Sequence, residues 1–174
     1  MDLKDFSFIH RYFTAEKQES LLFLLLGIVA ILLAVVFFFF IKTNPSFFKG
    51  AAIPLLAIGL IQITVGYTVY ARSDKQRLDI AYQAGTDPHY ISRTEMPRME
   101  NVMKNFVIYR YSEIILALAG MALFFIFYNN AGMSFWKGLG CTLAIQALLM
   151  LGADHFAEKR GKTYTLGLEN FLKT

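Results

Sequence analysis

Charge is missing from the parts of this chain where it would be most costly. The 174 residues include 13 Asp and Glu and 17 Lys and Arg. None of these, and no histidine, falls within four apolar blocks at Ser20 to Ile41, Ala51 to Ala71, Ile114 to Tyr128 and Leu139 to Ala153. A soluble core does not segregate charge over runs of that length, so the pattern excludes an ordinary globular domain. Cysteine is almost absent. Cys141 stands alone, which leaves no intrachain disulfide and no cysteine-based metal motif. The three histidines, His10, His89 and His155, lie on separate segments, and none belongs to a pair spaced as metal ligands are. There is no G-x-S-x-G, no P-loop and no dinucleotide fingerprint. The sequence therefore predicts neither an enzyme nor a bound metal or cofactor.

What is present is length without interruption. About 20 helical residues cross roughly 30 Å of hydrocarbon. The first two blocks reach that length outright, and the last two do so with Tyr109 to Glu113 and Phe135 to Gly138 added. The first block is too long for the apolar core of a signal peptide, lacks a small-residue cleavage site after Phe37 to Phe40, and follows Asp2, Asp5, Glu16 and Glu19. It reads as a retained helix. The expected fold is all-α: a membrane four-helix bundle built from two similar transmembrane hairpins, with interfacial amphipathic helices. It forms one membrane domain. Residues 1–19 are an amphipathic N-terminal segment, 20–71 the first hairpin, 72–108 a cytoplasmic linker, 109–157 the second hairpin and 158–174 a C-terminal segment.

Orientation follows from the flanking charge. All Lys and Arg residues except Lys42, Lys49 and Lys137 lie on the side shared by both termini and the linker. Positive-inside bias places that side in the cytoplasm, in a bacterial-type inner membrane. The net charge of +4 suits anionic lipid head groups and calls for no nucleic acid.

The chain also writes one short phrase twice. Ser46 to Gly50 reads SFFKG and, 88 positions later, Ser134 to Gly138 reads SFWKG. The aromatic runs Phe37 to Phe40 and Phe124 to Phe127 precede them in parallel. This predicts two copies of one hairpin facing the same way. Each pentapeptide is placed at the outer corner, with the serine as helix N-cap and the aromatics and lysine at head-group level. Pro54 is placed in the first turn of its helix, where proline is tolerated.

Three segments outside the blocks carry apolar stripes at helical spacing: Leu3, Phe6, Ile9 and Phe13; Met96, Met99, Val102 or Met103, and Phe106; and, more weakly, Tyr164, Leu168, Phe171 and Leu172. These are expected to rest mainly on the membrane surface, the second of them lying on the membrane or running straight into the third span. At mid-depth the candidate polar residues are Gln62, Thr64, Thr142 and Gln146, with small residues on the same faces, a pattern read first as helix packing. A second candidate group gathers at the cytoplasmic ends of the spans: Glu19, Arg110, Glu113, Asp154, His155 and Glu158. Without catalytic or transport signatures, the expected role is binding, as an accessory subunit or an immunity-type protein that blocks a membrane-acting partner. Its partners are then membrane lipid and a membrane or cytoplasmic protein, or a second copy of itself. The alternative is a homo-oligomeric channel or small transporter lined by polar residues of spans two and four.

Overall fold

The computed structural model describes residues 6–87 and 89–173, and among these it is helical almost throughout, with no strand. Four long helices account for the chain: α1 (Ser7–Phe39), α2 (Pro45–Thr86), α3 (Met96–Ile126) and α4 (Ser134–Lys173). Each is long and apolar enough to cross a membrane. A π-helical turn, Ile91–Glu95, leads into α3, and a 3₁₀ turn, Ala131–Met133, leads into α4. α2 ends at Thr86, directly after Gly85.

The corners differ from expectation in which residue starts the returning helix. Asn44 takes the left-handed conformation (φ 49°) and Pro45 occupies the first helical position, so α2 begins one residue before Ser46. Asparagine tolerates that conformation, and proline there forfeits an N–H that has no helical partner anyway. At the second corner the Asn130 side chain accepts from Gly132 N at 3.0 Å, and Ser134 donates to the Ala131 carbonyl at 2.8 Å. Neither serine is the N-cap expected of it. Pro54 lies inside α2, not in its first turn as expected. It lacks the N–H that would bond the Gly50 carbonyl four residues back.

Helix pairing follows the order α1, α2, α4, α3, with a lighter contact between α1 and α4. The two helices at the ends of this row, α1 and α3, make no extended contact. Within the hairpins, glycine sets the spacing. A Cβ on Gly27 would lie 2.8 Å from the Gly59 carbonyl, and one on Gly120 would lie 2.7 Å from the Gly140 carbonyl.

Between the hairpins the repeated pentapeptides meet each other. A Cβ on Gly50 would collide with the Phe135 carbonyl, and one on Gly138 would collide with the Phe47 carbonyl. Thr142 donates to the Ala51 carbonyl at 2.9 Å just beside this crossing. The contact is reciprocal: 47 meets 138 as 135 meets 50.

At the opposite end the helices run past their apolar blocks and close on a core of Ile9, Tyr12, Phe13, Ile80, Ala84, Ile91, Met99, Tyr164 and Leu168. Ile9, Ile91, Met99 and Leu168 are wholly buried there. The apolar stripes expected to lie on the membrane therefore pack on one another. Each stripe is too narrow to need lipid once three others face it, and joining them removes more apolar surface from water. Leu3 lies outside the described residues. The long apolar faces of the blocks remain exposed instead, as at Leu22, Leu32, Leu60, Ile115 and Phe125.

Replacing Gly138 by valine should drive the hairpins apart at the crossing and cost at least about 1–3 kcal/mol. Gly152→Val, where an added Cβ meets nothing within 4 Å, should leave the midpoint almost unchanged. Thermal unfolding of both variants in detergent checks the contrast, and equal midpoints would remove the crossing as the hairpin fastener.

Candidate functional site

Between the glycine crossing and the terminal core lies a cleft of about 580 Å³ to which all four helices contribute. Its apolar wall includes Phe23, Ile61, Val65, Leu116 and Met150, and its charged end carries Glu16, Glu19, Arg72, Glu113, Asp154 and Arg160. Periodicity explains the mixture. Each helix passes here from its uncharged block into its charged extension, so the same face turns from Leu or Val to Glu or Arg within two turns.

The cleft's floor is the terminal core, and a buried carboxylate organises it. Glu95 is 1% exposed and takes two bonds from the Arg98 guanidinium, at 2.8 and 2.7 Å. Tyr164 of α4 donates to the same carboxylate at 2.7 Å. The Tyr164 ring stacks on Tyr12 of α1 at 4.2 Å, and Arg98 lies over the Phe13 ring at 5.8 Å. Tyr12 donates in turn to Glu16 at 3.3 Å, and the Ser73 hydroxyl of α2 lies 3.1 Å from the other Glu16 oxygen. One chain of contacts thus joins every helix. Burial first, then the Glu95 carboxylate, pushes the Tyr164 hydroxyl well above its ordinary value; burial and Glu16 do the same to Tyr12. At the rim Lys17 pairs with Asp74, which holds Asp74 below and Lys17 above their ordinary values.

The charged residues singled out in the sequence separate into three sets. Arg110 pairs with Glu158, which Lys162 also reaches at 2.8 Å, and these two cations hold the Glu158 carboxyl below its usual range. Glu19 is bound by Arg160, whose guanidinium lies 5.6 Å above the Tyr12 ring. Glu113 and Asp154 face each other. His155 is exposed at the edge of a second hollow of about 480 Å³, which Arg110, Glu113, Asp154 and Glu158 also border.

The mid-depth polar residues do not converge. Gln62 is buried against Gly27 of α1 and its Oε1 has no hydrogen-bond partner, while Thr64 is exposed and donates to its own helix at Leu60. Gly59 and Gly66 on the Gln62 face are likewise occupied by α1. Thr142 serves the α2–α4 crossing, and Gln146 is buried on α4.

Sequence reasoning singles out none of Glu95, Tyr12 and Arg160. The available signal was Glu95 standing four residues from both Ile91 and Met99, a charge inside an apolar stripe. Compared with known protein families, with characterised proteins and with solved structures, the chain matches none.

Tyr164→Phe removes one bond to a buried carboxylate and should lower stability by about 1–2 kcal/mol. Glu95→Ala, which strands Arg98, should cost about 3 kcal/mol or more. Because both tyrosines are harder to ionise when folded, their contribution is complete below the ordinary tyrosine value and is lost as pH rises past about 10. Thermal midpoints in detergent should fall from about pH 9 to about pH 11, less steeply in Tyr164→Phe. A flat profile would contradict the assignment.

Proposed function

We propose that this chain is an integral protein of a bacterial-type inner membrane, with four spans, two similar hairpins and both termini in the cytoplasm. It works by binding, as an accessory component of a larger membrane assembly or as an immunity-type protein that sequesters a membrane-acting molecule. The observation that carries this reading is the cleft. It is fastened at one end by the reciprocal glycine crossing and at the other by the four-helix core, so the spacing of its walls is fixed from both ends. Preorganised concave sites of a few hundred Å³ with an apolar wall and few polar groups are the usual form of a binding site.

Other features support binding over conduction. The Gly59, Gln62 and Gly66 face that would line a pore is filled by α1. The exposed Leu, Ile and Phe side chains along the blocks supply a lipid-facing surface, and the basic residues concentrate on the side of the terminal core.

Orientation is tested by single cysteines at Ser7 and Asn129 in a Cys141→Ala background. A membrane-impermeant maleimide added to intact cells should label position 129 and spare position 7; the reverse pattern would invert the topology. Binding is tested with a photoreactive amino acid at Val65 or Leu116 in the cleft, or at Leu32 on the exposed face. Cleft positions should capture a discrete adduct, identified by mass, that Leu32 does not. Lipid adducts alike at all three positions would defeat the binding reading.

A further inference from the structure

Glu113 is 2% exposed, yet neither of its carboxyl oxygens meets an N–H or O–H donor. The other carboxylates nearby are answered: Glu16 by Tyr12, Glu19 by Arg160 and Glu158 by Arg110 and Lys162. What faces Glu113 in the cleft is a second carboxyl, that of half-buried Asp154 on α4. Both line the cleft. A buried carboxylate left unpaired is strongly destabilising, and two that face each other repel. The pair is complete only with a proton or a cation between its oxygens.

The surroundings favour a cation of a particular kind. Among the described residues no three His, Cys, Asp or Glu side chains converge as ligands for a metal ion. Two carboxylates do match the three N–H donors of an ammonium group. The cleft then continues as an apolar wall of Phe23, Val65, Leu116 and Met150. Its volume of about 580 Å³ suits a ligand larger than an inorganic ion.

We propose that the cleft binds an amphiphilic organic ammonium ion, its head between Glu113 and Asp154 and its apolar tail along Phe23, Val65, Leu116 and Met150. This rests on the reading of the cleft as the binding site. The remaining cations that line it do not neutralise the pair: Arg160 is engaged by Glu19, and Arg72 is exposed.

The test uses the full chain in phosphatidylcholine nanodiscs, labelled with a diazirine-bearing decylamine, charged at neutral pH, and with the matching decanol. Adducts are mapped by mass spectrometry. The amine should label peptides around Leu116 and Met150 about tenfold more than the alcohol, the ratio expected of a charge-assisted hydrogen bond. Glu113→Gln or Asp154→Asn should reduce amine labelling to the alcohol's level, while Asp79→Asn, on the exposed surface of α2, should leave it unchanged. If Glu113→Gln does not fold, Asp154→Asn alone decides. Undiminished amine labelling in both variants would mean that the pair only shares a proton, and would overturn the proposal. Equal labelling by amine and alcohol, abolished for both by Leu116→Trp, would overturn ammonium selectivity and leave the cleft a binding site. No cleft labelling by either probe would overturn the proposal and, with lipid adducts alone from the photoreactive residues, the binding reading as well.

Discussion

The two hairpins are held to each other by a close approach of backbones that only glycine permits. At Gly50 and Gly138 the facing carbonyls of Phe135 and Phe47 occupy the space a side chain would need. These residues belong to the two matching segments, SFFKG and SFWKG. The contact is reciprocal, so a bulky residue on either helix strikes the backbone of the other, and both segments answer to one steric requirement. In lipid, where apolar side chains gain little by leaving their solvent, such close packing is the main source of helix association. Everything between the hairpins depends on where this crossing fixes α2 and α4.

On the membrane reading the second fastening uses different physics, because it lies beyond the apolar blocks. There the hydrophobic effect operates, and the helix extensions bury Ile9, Phe13, Met99 and Leu168 as a soluble domain would. A buried carboxylate in such a core is costly unless well satisfied. Glu95 is met by Arg98 and Tyr164, and through Tyr164 and Tyr12 the network fixes how α1 and α4 stack. Directional bonds specify one arrangement of four stripes that apolar contact alone would leave free to rotate.

The helices were legible in the sequence wherever a single helix carries the signal. Uninterrupted apolar runs are local facts, and α1 to α4 follow from them. What one helix cannot report is its partner. The stripe of Ile9 and Phe13 looks the same whether it meets lipid or Leu168, and the membrane was the wrong choice. Ser46 has a suitable cap side chain, but Asn44 followed by Pro45 starts the helix first. Pro54 is interior with either start, since even a helix capped by Ser46 has it two turns in. At the site, Glu113 and Asp154 were recognisable as acids at the ends of spans. That they face each other, while Glu158 and Glu19 each find an arginine, depends on helix rotation and pairing order, which no spacing within a segment encodes.

The row-like order of the helices has a consequence for traffic. The terminal core lies across the end of the cleft along the helix axes, and the glycine crossing closes the other end. α1 and α3 make no extended contact, so the gap between them is the remaining way in. On the membrane reading that gap opens sideways, at the depth of the inner leaflet. A molecule already dissolved among the acyl chains reaches it by diffusing in two dimensions, concentrated by partitioning, and never has to cross the cytoplasmic water.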